Sequence, residues 1–518
     1  MLHLRLILPF VLLVTVVSRA ADAPPRRPNV LFIAVDDLRP ELGAYGATYI
    51  KSPNIDRIAK AGVTFRRAYC QQAVCSPTRS SLMTGTRPDT TQVWDLVTHF
   101  RTALPHVVTL GQHFKNNGYF VQGMGKIYHG SFDDAPTWSV PWGTPRAVKY
   151  ALEQNQKLDQ RQYETEPDDQ ASAKSKGKAR KRAPAEGMTA DDPPSTGLNS
   201  RGPAFEAADV PDSTFQDGKV ADLAVATLRD LSRKQEPFFL AVGFIKPHLP
   251  FVAPKKYWDL YDPAKIELAP NKFRPKDAPD YAILPGGELR NYHGIPVGSI
   301  PDDLARQLKH GYYAAISYMD AQLGKVLDEL DRLGLRENTI IVLWGDHGWK
   351  LGEHDAWCKH STFENDTHAP LLISVPGMKT AGAKSNALVE FVDIYPTLTE
   401  LAGLPLPGHL EGVSMKPLLE QPNRPWKSAA FSQYPRSKAQ TKSPHGLMGY
   451  SMRTERYRFT VWVDRSNAAK VDAIELYDHQ SDPMENTNIA GDPANAGLVQ
   501  TLKAQWEKGW RGARPPAT

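Results

Sequence analysis

The hydrophobic positions of this 518-residue chain fall into two kinds of run. Continuous apolar runs are typical of strands buried on both faces of a parallel sheet, and the chain has four of them, at 30–35, 238–245, 339–345 and 371–375. Other segments repeat apolar residues at helical spacing, at 53–62, 302–333 and 392–402. This order predicts an α/β fold in which helices flank a large, mostly parallel sheet.

Changes in composition divide the chain into predicted domains. The α/β pattern occupies residues 25–421, interrupted at 155–211 by a stretch rich in Ala, Ser, Lys, Pro and Asp. We expect 155–211 to be a disordered insertion, because such a composition buries too little apolar surface to fold. Residues 422–518 alternate in the strand pattern and end in a helical segment. They predict a smaller C-terminal subdomain with an antiparallel sheet and a helix.

The first twenty residues predict a signal peptide. Arg5 precedes an apolar run of about twelve residues, and Ser18-Arg19-Ala20 places small residues where a signal peptidase requires them. A spanning helix needs about 20 apolar residues, so the run is too short to cross a bilayer, although an uncleaved membrane anchor is the alternative. We therefore expect an exported protein, periplasmic or secreted, with no membrane association after cleavage.

Charge and composition narrow the class of partner. With 41% hydrophobic and 23% charged residues, the chain is neither collagen-like, nor wholly disordered, nor a polytopic membrane protein. The net charge of +5 falls to +3 without Arg5 and Arg19, and to −3 without the six positive residues in 174–182. The basic excess therefore belongs to the predicted insertion, where a solvated segment is favoured over a polyanion contact. We expect no nucleic-acid partner.

The three cysteines are too few for a disulfide framework. A bridge between Cys70 and Cys358 would leave Cys75 unpaired. Their spacing does not suggest a zinc site, because no CxxC pair exists.

Acidic residues follow the first and third of the apolar runs. Asp36 and Asp37 come after one, and Asp346 and His347 after the other. Ligands of open parallel sheets bind beyond the carboxyl ends of the strands, so we expect these side chains to converge. Three carboxylates at one edge would repel unless a cation lies between them, and oxygen ligands indicate Ca²⁺ or Mg²⁺, while His347 leaves room for a transition metal. The alternative is that the aspartates only cap the helices that follow.

The stretch Cys75-Ser76-Pro77-Thr78-Arg79 predicts the start of a helix. Ser76 is a good N-cap and Pro77 a good first helical residue. Cys75 should then lie at a helix N-terminus, which lowers the pKa of a thiol and suits an anionic substrate. Arg79, one turn further on, would face Cys75 and add a permanently charged, forked donor. A buried cysteine beside a helix cap is the alternative.

This stretch, followed by Leu82-Met83-Thr84-Gly85, resembles the signature of the type I sulfatases. Further segments resemble that family's motifs in its order, at 29–37, 125–129, 246–248, 345–348, 475–478 and 482–483. The resemblance covers nearly the whole mature chain outside 155–211 and implies the alkaline-phosphatase-like fold of sulfatases. Within the family it is strongest to iduronate-2-sulfatases, on the contexts Asp36-Asp37-Leu38-Arg39, Gly243-Phe244-Ile245-Lys246-Pro247-His248 and Asp346-His347-Gly348-Trp349.

The resemblance implies a modified residue and a metal. The cysteine of this family is oxidised to Cα-formylglycine (3-oxoalanine), so a formylglycine-generating or equivalent sulfatase-maturing enzyme is an expected partner. The implied Ca²⁺ ligands are Asp36, Asp37, Asp346, His347 and the modified Cys75. The hydrated aldehyde offers two hydroxyls on one carbon: one attacks the sulfur of a sulfate ester, and the other helps to expel sulfate.

The resemblance also implies roles for the other matching residues. Arg79, with the metal, would favour the nucleophilic alkoxide. Lys126 and Lys359 would hold sulfate oxygens as charge builds on them. His129 would take the proton of the second hydroxyl, and His248 would protonate the leaving alcohol.

The expected function is therefore that of an exported sulfuric ester hydrolase acting on a sulfated carbohydrate, such as the 2-O-sulfate of iduronate or a related uronic acid in glycosaminoglycan degradation. The alternatives are a sulfatase for another polysaccharide, such as an algal one, and a phosphoester or phosphonate hydrolase of the same superfamily. A non-catalytic binder of sulfated glycans is a third, if Cys75 is unmodified. The animal lysosomal enzyme carries disulfides that this chain cannot form, which favours a bacterial, periplasmic relative.

Overall fold

A computed structural model describes residues 27–130, 132–163 and 201–516. Its central sheet has seven strands, β1 to β7 in chain order: Asn29–Val35, Val63–Tyr69, Phe120–Gly125, Phe238–Phe244, Thr339–Gly345, Leu371–Ser374 and Lys384–Glu390. Across the sheet the order is β7-β2-β6-β5-β1-β4-β3. All neighbouring pairs are parallel except those of β6, which runs antiparallel to β2 and β5. The predicted α/β fold with a mostly parallel sheet is confirmed.

The sheet lies between two layers of helices. In the part of the chain that the structure describes, the longer helices, α1 to α8, are Pro53–Ala61, Cys75–Thr84, Leu110–Asn116, Glu153–Tyr163, Gln216–Leu231, Asp302–Arg332, Ile394–Leu401 and Ala496–Glu507. Shorter helices are Pro88–Thr91, Lys255–Trp258, Gly287–Arg290, Glu364–Thr367, Lys416–Glu420 and Gly509–Gly512. Among the described residues, none of the helices is long and apolar enough to cross a membrane.

Strand β1 shows why its apolar run is continuous. Every residue of Asn29–Val35 is buried. Side chains alternate between the two faces of a strand, so Leu31 and Ile33 join one hydrophobic cluster while Val30 and Phe32 join the other. The first cluster is completed by α1, α5 and α6, and the second by α2, α3 and α7.

The C-terminal part forms its own antiparallel sheet. Strands β8 to β11 are Ala430–Arg436, Leu447–Arg453, Tyr457–Asp464 and Asn467–Asp478, and they pair in chain order. Leu502 of α8 packs against Met452 and Phe459 of this sheet. The predicted subdomain with an antiparallel sheet and a helix is confirmed, while its boundary at residue 422 stays a prediction.

The prediction of a disordered insertion at 155–211 is wrong at both ends. Residues 153–163 belong to α4, and strand Phe205–Ala208 pairs in parallel with Phe251–Pro254. The buried Glu206 accepts hydrogen bonds from Asn155 and from the backbone N–H groups of residues 151 and 152. These flanks are ordered by partners distant in sequence, which composition does not reveal. The basic run 174–182 and the predicted signal peptide lie outside the described residues.

Candidate active site

The ends of β1 and β5 bring four candidate metal ligands together. The two strands pair in parallel with Val35 opposite Gly345, so the residues that follow them emerge side by side. The backbone N–H of Asp37 donates to Asp346 Oδ1 at 3.0 Å, and His347 Nε2 lies 3.4 Å from Asp37 Oδ1. All four side chains, those of Asp36, Asp37, Asp346 and His347, are fully buried. The structure therefore places the two predicted strand ends in a single cluster.

Cys75 lies at the N-terminus of α2 and points into this cluster. Its Sγ is 3.4 Å from both Asp36 Oδ1 and His347 Nε2. The helix begins at Cys75 itself, with Val74 in the N-cap position, so the prediction that Ser76 is the N-cap is wrong. Pro77 is the third helical residue, and it is tolerated there because the first N–H groups of a helix have no intrahelical partner.

The three cysteines are free and buried, so no bridge joins Cys70 and Cys358. Burial, and secondly the carboxylate of Asp36, raise the pKa of the Cys75 thiol well above its usual range. The prediction that the helix N-terminus lowers this pKa is therefore wrong, because burial and a neighbouring negative charge outweigh the helix dipole.

Arg79 ties both strand ends to a third segment. Its Nε donates to Asp346 Oδ2 at 3.0 Å and its Nη2 to Asp36 Oδ1 at 3.1 Å. Its Nη1 donates to the backbone carbonyl oxygens of Lys126 and Ile127, just after β3. The side chain is completely buried, so the guanidinium acts beneath the cavity and orients the aspartates that surround Cys75.

The segment after β3 supplies Lys126 and His129. Lys126 Nζ forms an ion pair with Asp36 and lies 3.6 Å from Cys75 Sγ. Burial, and secondly the charge of Lys126, lower the pKa of His129 to about 3. His129 is therefore neutral near pH 7, as a proton acceptor must be, and its Nδ1 has no hydrogen-bond partner among the described residues.

His248 and Lys359 complete the set that the sequence predicts. His248 Nδ1 lies 2.6 Å from the carbonyl oxygen of Leu249, and its Nε2 lies 3.8 Å from Asp37 Oδ2. Lys359 Nζ donates to Asp37 Oδ1 at 3.0 Å and is almost fully buried. The structure thus brings this lysine to the cluster, although its neighbours in sequence form no distinctive motif.

One residue of the site, Glu288, could not be predicted from the sequence motifs. Glu288 lies in the short helix Gly287–Arg290, 3.1 Å from His248 Nε2 and 2.8 Å from Lys359 Nζ. No motif surrounds it. The pair Gly286-Gly287 precedes it, and Gly286 has a positive φ. Only the fold, however, shows which residues the Glu288 carboxylate contacts.

These side chains face one cavity of about 760 Å³. Its lining includes the predicted nucleophile and four of the predicted catalytic residues: Cys75, Lys126, His129, His248 and Lys359. Arg79 and the aspartates lie beneath them. A cavity with a nucleophile position at its floor and cations around it suits an anionic group on a larger substrate.

The cluster has the donors that a hard cation requires. Candidate ligand atoms of Asp36, Asp37, Cys75 and His248 lie within 4.8 Å of one another, as do those of Cys75, Asp346 and His347. Burial raises the pKa of Asp346, and the negative charge of the neighbouring Asp36 raises it further, because the carboxylates lie close together. A divalent cation would relieve this crowding, and a set rich in carboxylate oxygens fits Ca²⁺ or Mg²⁺.

Comparison with known proteins identifies the family to which this chain belongs. The sulfatase family model matches residues 28–404, and the model of the C-terminal part of N-sulphoglucosamine sulphohydrolases matches residues 352–511. Iduronate 2-sulfatase of Mus musculus is 35% identical over 92% of this chain and 93% of its own length. A sulfatase of Formosa agariphila is 30% identical over 92% of this chain and 86% of its own.

The structure of the phosphonate monoester hydrolase of Agrobacterium radiobacter aligns with a TM-score of 0.70 at 24% identity, covering 93% of this chain and 95% of the other. The likeness in structure shows the shared fold. The chain belongs to the sulfatase family, and it is a sulfuric ester hydrolase with the alkaline-phosphatase-like fold predicted above. The predicted similarity to iduronate 2-sulfatases is likewise confirmed.

Proposed function

We propose that this sulfatase is exported and hydrolyses a sulfate ester of a sulfated sugar, namely the 2-O-sulfate of iduronate or of a related uronic acid. The reaction uses a bound Ca²⁺ and a formylglycine that is made from Cys75. The observation that carries the proposal is the position of Cys75, at the floor of a cavity, among three buried carboxylates and beside Lys126. The identity to proteins named iduronate 2-sulfatase supports the choice of sugar.

The cavity wall also suits an acidic sugar. Lys149, Lys246 and Arg201 line it, in addition to the lysines beside Cys75. A uronic acid carries a carboxylate beside its sulfate ester, and cations in the wall would attract both groups. The basic residues of the wall are compatible with an acidic sugar.

The chain's own residues would hold the metal and the substrate. Asp36, Asp37, Asp346, His347 and the modified residue 75 would bind Ca²⁺, which when bound favours an ionised oxygen nucleophile near neutral pH. The formylglycine hydrate supplies two hydroxyls on one carbon, one for attack on sulfur and one for the release of sulfate.

Four cavity residues then divide three tasks among them. Lys126 and Lys359 hold sulfate oxygens, because their ammonium groups flank the position of residue 75. The neutral His129 accepts the proton of the hydroxyl that releases sulfate. His248 gives a proton to the sugar oxygen as the ester breaks, a transfer typically worth about 10²–10⁴-fold in rate.

The mass of the tryptic peptide that contains residue 75, in protein from the native host, tests the modification. We expect the mass of the aldehyde or its hydrate, and we expect Cys75→Ala to lose at least about 10³-fold in sulfate release while keeping the fold. Cys70→Ala is the matched control, since Cys70 is a buried thiol outside the cavity lining. An intact thiol, or activity that persists in Cys75→Ala, would contradict the proposal. An intact thiol with retained affinity for sulfated glycans would instead identify a binding protein.

Substrate assays test the rest of the proposal. We expect faster release from an aryl sulfate than from the matched aryl phosphate, and turnover of a disaccharide that ends in 2-O-sulfated iduronate. Preference for the phosphate would indicate a phosphoester hydrolase, and turnover of algal polysaccharide alone would reject the uronic acid.

N-terminal sequencing of exported protein, with cleavage expected after Ala20, tests export.

A further inference from the structure

We infer that Glu288 is a positioning residue for the reaction: its carboxylate holds His248 as a hydrogen-bond donor toward the cavity and fixes Lys359 beside it. The inference rests on the proposed function, in which His248 gives a proton to the leaving sugar oxygen. Neither the sequence motifs nor the metal cluster includes Glu288.

The carboxylate bridges two cavity residues. Glu288 Oε1 lies 3.1 Å from His248 Nε2, and Oε2 lies 2.8 Å from Lys359 Nζ. Its side chain is 15% exposed and lines the same cavity as Cys75. The carboxylate thus contacts both residues at once, and these two residues have different tasks in the proposed mechanism.

The ring of His248 faces acceptors on both sides. Nδ1 meets the carbonyl oxygen of Leu249 at 2.6 Å, and a carbonyl can only accept. Nε2 meets Glu288 Oε1 at 3.1 Å, and the other oxygen of this carboxylate pairs with the ammonium group of Lys359 at 2.8 Å. An ionised carboxylate also only accepts, so the geometry presents an N–H at Nε2, toward the cavity.

Without Glu288 the ring would lose its nearest acceptor at Nε2. The next carboxylate oxygens belong to Asp37 and Asp36, at 3.8 and 3.9 Å, both within the candidate metal cluster. Glu288 therefore keeps His248 oriented toward the leaving-group side instead of toward those aspartates. Lys359 would keep Asp37 as a partner, at 3.0 Å, so its position depends less on Glu288.

The backbone explains why a carboxylate reaches this point. Gly286 has φ = +77°, a conformation that suits glycine, and a Cβ there would clash with the backbone of Trp357. This close approach packs the short helix Gly287–Arg290 against the segment that carries Lys359 two residues later. The fold therefore sets the distance from Glu288 to Lys359.

The step conserves atoms and charge. An oxygen on residue 75 bonds to sulfur, and the bond from sulfur to the sugar oxygen breaks with its electron pair on that oxygen. The proton of His248 Nε2 leaves its contact with Glu288 Oε1 and goes to the sugar oxygen, while the N–H at Nδ1 remains hydrogen-bonded to the Leu249 carbonyl oxygen. The proton lost by the attacking hydroxyl of residue 75 goes to water, and the solvent returns one proton to Nε2 after the alcohol has left. Glu288 itself neither gains nor loses a proton.

The dependence of rate on the leaving group tests the inference. A sugar alcohol needs a proton as it leaves, whereas 4-nitrophenol leaves readily as an anion. We expect Glu288→Gln to lower kcat/KM about 10²-fold for a 2-O-sulfated iduronate disaccharide and less than about tenfold for 4-nitrophenyl sulfate. Glu288→Asp, which keeps a shorter carboxylate, should recover part of the loss on the sugar substrate.

The control is Glu329→Gln, which removes a buried carboxylate paired with Arg229 and Arg332 outside the cavity lining, and which should change neither rate. Equal losses of Glu288→Gln on both substrates, or no loss, would overturn the inference and leave Glu288 a structural residue. If Glu288→Gln fails to fold, the same comparison is made with Glu288→Asp, and equal losses there overturn the inference too. Failure of the proposed function looks different, because the wild-type enzyme would then carry an intact thiol or turn over neither sulfate ester.

Discussion

Arg79 shows how much of this site depends on one buried side chain. Its guanidinium donates to Asp36, to Asp346 and to the carbonyl oxygens of Lys126 and Ile127, so it joins three strand ends that are far apart in sequence. A planar, forked cation can bond all of these acceptors at once, which a lysine cannot. The positive charge of Arg79 stabilises the two buried aspartates in their ionised form.

Replacement of Arg79 therefore has a cost in stability as well as in activity. Arg79→Met leaves two buried carboxylates without their shared partner, and we expect a loss of about 3–5 kcal/mol in the free energy of unfolding. Urea unfolding measures it. Arg57→Met is the control, because Arg57 is 37% exposed and pairs with the exposed Asp328, so its loss should be about 0–1 kcal/mol. Similar losses in both variants would show that Arg79 is not the centre of the cluster.

At the scale of the elements, strands β3 and β4 approach each other near their carboxyl ends at two glycines, where there is no room for a side chain. Gly125 and Gly243 are opposite each other in the parallel register. Gly125 has φ = +68°, and a Cβ there would overlap the carbonyl oxygen of Gly243. A Cβ on Gly243 would in turn overlap the backbone of Lys126. This contact directs the chain out of β3 so that Lys126 reaches the cavity.

A methyl group at this contact should displace the lysine. We expect Gly243→Ala to cost about 1–3 kcal/mol in unfolding free energy, as overpacking typically does, and to lower kcat/KM for an aryl sulfate. Gly497→Ala adds the same methyl group in α8, where a Cβ meets nothing within 4 Å, and should change stability by about 1 kcal/mol or less. A Gly243→Ala enzyme with unchanged kinetics would mean that the close approach does not position Lys126.

At the scale of the whole molecule, the C-terminal sheet is joined to the catalytic part by a buried interface. Trp462 and Tyr477 pack with Phe363 and Ala282 in one hydrophobic cluster. Glu475 lies beneath it, fully buried, and accepts hydrogen bonds from Trp462 Nε1 at 2.6 Å and Tyr477 Oη at 2.5 Å. Burial raises the pKa of Glu475 from 4.5 to about 7.

This raised pKa makes overall stability depend on pH. The folded state holds the proton of Glu475 more tightly than the unfolded state, so the stabilisation is complete below pH 4.5 and is lost as the pH rises through 7. We expect the unfolding free energy of Glu475→Gln to fall less between pH 4.5 and 8 than that of the wild type, by up to about 3 kcal/mol. Denaturant unfolding across this range is the measurement. Glu455→Gln, at an exposed position in the turn between β9 and β10, should follow the wild-type curve; parallel curves for all three proteins would reject the assignment.

Much of the fold could be predicted because its signals are local. Runs such as 339–345 form strands with the expected bounds. A continuous apolar run buries all of its side chains only in a strand that is covered on both faces of the sheet. The flanks of 155–211 could not be predicted in this way. Their order comes from Glu206 and from pairing with Phe251–Pro254, which lie beyond any local window.

The sequence by itself determined the chemistry of this protein: the acidic strand ends, the cysteine motif, and the lysines and histidines that match a sulfatase. Only the tertiary structure decided how these groups act on one another. It raised the pKa of the Cys75 thiol through burial and Asp36, where the helix position alone predicts a lowered one. It also placed Glu288 between His248 and Lys359. Residue types and spacing are written in the chain, but burial and the distances between charges are set when remote segments pack together.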